Sequence, residues 1–158
     1  MRRRVLGCLL LAACAAPDGE ALPQPVDSGH GTAPAPPPDP PAADLAGWDV
    51  ATSMAGMFTA AWRPSGGAVP ENELFELDVL LFQGADTAVP LSGAEVVVSA
   101  WMPDHMHGMN RRPEVREVAP GRYRVRGVLL HMEGLWQLFV DVIANGVSER
   151  AQFELTLR

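Results

Sequence analysis

Eight consecutive residues, Met102-Pro103-Asp104-His105-Met106-His107-Gly108-Met109, gather three thioethers and two imidazoles directly after an apolar run. A second soft pair, His131-Met132, follows about 25 residues later. Thioether and imidazole together suit Cu(I), whereas calcium or magnesium would need a loop rich in carboxylates, and this one has a single Asp104. Copper, as Cu(I), is therefore the ligand this pattern points to. The plainer alternative makes Met102 a core residue, gives Pro103 and Gly108 the shaping of a loop, and leaves the histidines solvated.

Catalysis has less to work with. The chain has neither a Gly-x-Ser-x-Gly elbow nor a glycine loop that would cradle phosphate, and His-x-Glu-x-x-His zinc spacing is absent. Asp104 beside His105 and His107 could serve acid/base chemistry, but a nucleophile and an oxyanion donor have no candidates. The expectation is a protein that is not an enzyme and carries no organic cofactor.

The whole chain, 158 residues with a formal net charge of -7, has room for one domain and appendages. It contains no lysine, and its 12 basic residues are all arginine. An acidic balance argues against nucleic acid as a partner, since that needs a basic patch. The N-terminus reads as an export signal: Arg2, Arg3 and Arg4 precede the apolar Val5 to Leu11, which is too short to span a bilayer. Leu11-Ala12-Ala13-Cys14 resembles the lipobox of bacterial lipoproteins, which implies cleavage after residue 13 and a lipid on Cys14. A plain secretory signal or an uncleaved anchor is the competing reading. The implied site is the bacterial cell envelope, on a periplasmic or extracellular face and held to the membrane through Cys14. Ala15 after the cysteine favours the outer membrane by family-level sorting rules. Removal of Cys8 with the signal leaves no free thiol and no disulfide, so the domain must stand on its core.

Residues 14–46 form the lipidated cysteine and a linker of Ala, Pro, Gly and Asp, with six prolines between Pro34 and Pro41. So few large apolar residues cannot offset the entropy of ordering, and the segment reads as a disordered tether. His30 lies within it and reads as solvated. From residue 47 to 158 the texture changes to short apolar runs bounded by turn signals. Seven strands are expected: Met57 to Trp62, Glu73 to Phe82, Ala94 to Met102, Glu114 to Val118, Arg122 to Met132, Leu135 to Ala144 and Val147 to Leu157. Phe75, Leu77, Val79 and Leu81 alternate with Glu76 and Asp78, the pattern of a sheet with one buried face. Asn145-Gly146 is a two-residue hairpin signal. Leu45 to Ala60 lacks a helical stripe. The fold class is all-β, an immunoglobulin-like sandwich, with an open β-barrel as the alternative.

If successive strands run antiparallel, the loop after Ala94 to Met102 and the turn after Arg122 to Met132 emerge at the same end. His105, Met106, His107 and Met109 would then share a rim with His131 and Met132. Alternation carried through to Met132 would let only one of the pair His131 and Met132 face a shared site. Met54 and Met57 fall at the opposite end and read as core packing.

Trp62-Arg63-Pro64, Gly93-Ala94, Met102-Pro103 with the His-rich loop to Gly108, Gly121-Arg122-Tyr123, and Met132 followed by Gly134 and Trp136 together resemble the YtkA-like/FixH-like group of secreted or membrane-anchored bacterial β-sandwich domains. The resemblance spans most of residues 47–158. It implies that Met102, His105, His107 and Met109 match the group's metal loop, that Gly134 and Trp136 match its structural signature, and that a partner would be a copper-handling or oxidase-assembly protein. The chain departs from the FixH branch, whose members look anchored by a short N-terminal helix. The expected function is extracytoplasmic binding or handling of Cu(I). A metal-free interaction or adhesion module, using exposed methionines as an adaptable surface, is the alternative from a different class.

Overall fold

The computed structural model describes residues 42–144 and 146–158. The signal segment, Cys14, His30, the tether as far as Pro41, and Asn145 of the expected hairpin turn lie outside the described residues. Among the described residues nine strands form: β1 (Asp49–Thr52), β2 (Phe58–Pro64), β3 (Phe75–Gln83), β4 (Glu95–Met102), β5 (His107–Gly108), β6 (Glu114–Ala119), β7 (Arg122–Val128), β8 (Gly134–Ala144) and β9 (Val147–Leu157). They build two antiparallel sheets, one ordered β1, β2, β3, β7, β6 and the other β5, β4, β8, β9. Two separate sheets make a sandwich rather than an open barrel.

The alternation explains the layering. In β8, Trp136, Leu138, Val140 and Val142 are buried and face Leu77, Val79, Val125 and Val128 of the other sheet across one continuous core. Apolar residues at every second position turn inward together, because successive side chains of a strand point to opposite faces. On the outer face of the five-stranded sheet the expected polar positions hold a charge ladder. Arg124 stands between Asp78 on β3 and Arg116 on β6. Its Nε donates to Asp78 Oδ1 at 3.1 Å, while Arg122 approaches the same oxygen at 3.8 Å. The two guanidinium groups cover Asp78, which is only 6% exposed although its parity is that of the solvent face. A planar fork can lie flat on a sheet and keep a carboxylate paired, a geometry that an ammonium does not offer.

Three expectations change. Seven strands become nine, because Asp49–Thr52 and His107–Gly108 are too short to carry a readable alternation yet pair with β2 and β4. The strand expected to run to Met132 ends at Val128. Gly127, at φ +79, breaks the alternation just before that point, so Leu129 to Glu133 is a link between the two sheets. Met54 and Met57 are not core residues: they are 94% and 43% exposed. The link from β1 to β2 is closed tightly, with Ser53 N–H bonded to Phe58 O and Gly56 N–H to Ser53 O, which turns both thioethers outward. Among the described residues no helix is long and apolar enough to cross a membrane.

Tyr123, the chain's only tyrosine, ties the core to the β3–β4 connection. Its hydroxyl donates to Leu91 O at 3.4 Å and accepts from Ala94 N–H at 3.3 Å. Burial pushes the phenol above its ordinary range; the Ala94 bond opposes the rise and the Glu117 charge adds to it. A raised phenol pKa means that the fold favours the neutral form. That stability is fully present below the unfolded value of about 10 and is lost as pH rises through the higher folded value. Tyr123→Phe should cost about 1 kcal/mol at neutral pH and lose less on going to about pH 10.5 than the wild type does. Urea midpoints at the two pH values check this, and absorbance titration follows the single phenol directly.

Candidate metal centre

The histidine loop is held by its own edge strand. Met102 sits opposite His107 and Trp101 opposite Gly108 across the β4–β5 pair, and Met109 N–H reaches Ala100 O at 3.0 Å. Residues directly opposite in an antiparallel pair project to the same face. Met102 is inward and only 1% exposed, so His107 lies on the core side of the edge and is half-buried. Between the two strands, Pro103–His105 makes a 3-10 turn closed by Met106 at φ 54 and ψ 38, whose N–H bonds to Pro103 O at 3.2 Å. This turn leaves His105 and Met106 exposed, Met106 by 79%.

The link from β7 to β8 closes over the same edge. Leu130 is fully buried and its carbonyl accepts from Asn72 N–H at 2.8 Å. Trp136, fully buried at the start of β8, donates its Nε1–H to Met132 O at 2.9 Å. These two anchors lay His131 on His107: the ring centroids are 5.1 Å apart and the planes 26° from parallel. Both imidazoles meet the Trp136 indole near perpendicular, His107 at 5.9 Å and His131 at 5.7 Å. His105 is a third ring, 5.9 Å from His107 and tilted by 49°. Met109 and Met132 are partly buried and pack against the core beside Met102.

The nitrogen atoms have distinct surroundings. His107 Nδ1 lies 3.2 Å from Gly108 O. A carbonyl only accepts, so that bond places the proton on Nδ1 and leaves the Nε2 lone pair free in the neutral ring. His131 Nδ1 is buried with no hydrogen-bond partner. An orphaned polar atom of this kind is costly unless something else occupies its lone pair. Among the described residues no three His, Cys, Asp or Glu side chains converge on one point, so further donors to a metal here would be thioethers. The donor chemistry fits a soft monovalent ion and fits zinc or a hard divalent ion poorly.

The structure thus brings His107, His131, Met102, Met109 and Met132 to one end of the sandwich, with His105 and Met106 on the outer rim. Adjacent His131 and Met132 both belong to this end, because the link between β7 and β8 does not alternate as a strand would. Sequence reasoning did not assign Trp136 to the site. Its signal was available in the spacing: an indole near the start of a strand, four positions after Met132, can reach back to that carbonyl. Gly134 fixes the same corner. At φ +120 it has no side chain, and a Cβ there would stand 2.6 Å from Met102 Cε. Gly134→Ala should therefore destabilise by about 1–3 kcal/mol. The loss should exceed that of Gly127→Ala, where nothing lies within 4 Å of the added carbon. Denaturant midpoints of the two variants measure the difference.

A family model described as YtkA-like matches residues 64–141, from the end of β2 to the middle of β8. Neither a curated protein nor a solved structure matches the chain. The matched segment contains the whole histidine loop, the link from β7 to β8, Gly134 and Trp136. Over residues 64–141 the chain is similar to the YtkA-like family.

Proposed function

We propose that this protein is a non-catalytic carrier of Cu(I) in the bacterial cell envelope. It takes the ion as cargo at the nitrogens of His107 and His131, with thioethers of Met102, Met109 and Met132 as the softer donors. The observation that carries this reading is the stacked imidazole pair, one ring with its Nε2 lone pair free and the other with a buried, unpartnered Nδ1. Two imidazoles with neighbouring thioethers match the preference of a d10 monovalent ion. The formal charge of -7 draws cations towards the surface in general without selecting among them. The proposal extends to the anchor: cleavage after residue 13, lipid on Cys14, a tether of residues 14–46, and attachment to the outer membrane. The cargo would pass to another copper-handling protein of the envelope.

Titration of the full-length protein against a Cu(I) chelator of roughly micromolar affinity tests the reading. One equivalent should be withdrawn under reducing conditions, and excess Zn(II) should not compete. His107→Ala with His131→Ala should weaken binding by roughly tenfold or more, about 1.4 kcal/mol for each factor of ten. Acidification should lower the affinity without abolishing it, since a protonated imidazole has no lone pair to donate while a thioether keeps its own. Failure to withdraw copper would transfer the assignment to a metal-free interaction module. That second reading draws on the exposure of Met106 (79%) and Met54 (94%), side chains suited to adaptable contacts.

The anchor has its own test. Wild-type protein should partition into detergent with Cys14 acylated and residues 1–13 absent by mass, whereas Cys14→Ser should remain uncleaved or enter the aqueous phase.

A further inference from the structure

Three imidazoles stand in a row that leads from solvent into the domain. His105 is exposed at the end of the 3-10 turn. His107 is half-buried, its ring 5.9 Å away, and His131 lies a further 5.1 Å on, with its Nδ1 out of contact with water. The inner two are stacked on each other and packed edge-on against Trp136, which restrains both rings. The outer ring is tilted by 49° to His107 and stands apart from the stacked pair.

We propose that His105 is an exchange ligand rather than a resident one, a reading that rests on the copper assignment above. Cu(I) arriving on a donor molecule is first bound by the exposed imidazole of His105, with the neighbouring thioether of Met106 at hand. One bond from copper to His105 nitrogen forms as one bond to the donor's ligand breaks. A bond to His107 then forms as a second donor bond breaks, and His105 lets go when His131 completes the inner pair. The copper stays Cu(I) throughout, and neutral imidazoles neither gain nor lose a proton. Release to an acceptor runs the same steps backwards.

Two features give His105 this role. An exposed side chain changes rotamer in picoseconds to nanoseconds, so it can sample positions that meet an incoming complex. The Nδ1 of His131 is buried and cannot meet the donor's ligands directly. A ligand that touches copper only in transit lowers the barrier for entry and for exit by the same amount. It changes the two rates together and leaves their ratio alone.

Stopped-flow transfer of Cu(I) between its bicinchoninate complex and the full-length protein, followed in both directions, tests this. His105→Ala should slow loading and unloading alike by about tenfold while the dissociation constant stays within about twofold of wild type. His105→Met, which restores a soft donor of similar reach, should recover most of the rate; a purely structural role for the turn would not be rescued this way. Unchanged rates in His105→Ala, a His105→Met variant as slow as His105→Ala, or an affinity loss as large as that of His107→Ala would each overturn the proposal. The parent reading fails separately: wild-type protein that takes no Cu(I) removes the copper assignment and the relay together. Wild-type protein that loads at a rate indifferent to His105 removes the relay alone.

Discussion

A fully buried indole must find an acceptor for its N–H, and the way Trp136 does so organises the end of the sandwich that matters. Trp136, the third residue of β8, is fully buried in the core, where water cannot serve. Its acceptor is the carbonyl of Met132, four residues back along the chain. To bring that carbonyl within 2.9 Å, the link from β7 must fold over the sheet edge rather than out into solvent. His131, one residue before Met132, is thereby laid on His107, which the short β5 strand holds in place from the other side. The imidazole pair is a by-product of satisfying one buried donor. It follows that the fold itself holds the two rings in place, and a group held in advance would cost less to order in any complex it made.

The methionines divide by what surrounds them. Met102 is a core residue in the full sense, with its terminal methyl against the bare Cα of Gly134. Met109 and Met132 are half in the core and half at the rim. Met54, Met57 and Met106 stand in water. A thioether is apolar enough to be buried at little cost and still soft enough to bind Cu(I), so the same side chain can belong to the core and to a ligand set. That duality is why the plain reading of Met102 and the chemical one are compatible.

Much of the fold could be read from alternation. Phe75 to Leu81, Trp136 to Val142 and Ala151 to Leu157 show a period of two, and all three became strands with the expected face inward or mostly so. What could not be read was set by contacts distant in sequence. Asp49–Thr52 is a strand only because β2 offers it an edge, and His107–Gly108 only because β4 does. Asp78 has the parity of an exposed residue, and it takes the arginines of a neighbouring strand to bury it. The candidate site was legible in its ligand types and in which end of the domain they would share. The stacking of His131 on His107 was hidden, because it depends on Gly127 ending β7 early and on an indole hydrogen bond that no local pattern announces.

Ala43, near the start of the described residues, is held at one end of the sandwich. Ala43 N–H bonds to Thr87 O, in the connection between β3 and β4. That connection leaves β3 at Gln83 and enters β4 at Glu95, and both residues lie at the end opposite Met102. The strand pairing fixes the distinction: Glu95 faces Ile143 near the close of β8, whereas Trp101 faces Gln137 near its start. Ala43, bonded beside Thr87, is therefore placed at the end of the sandwich remote from His107 and His131.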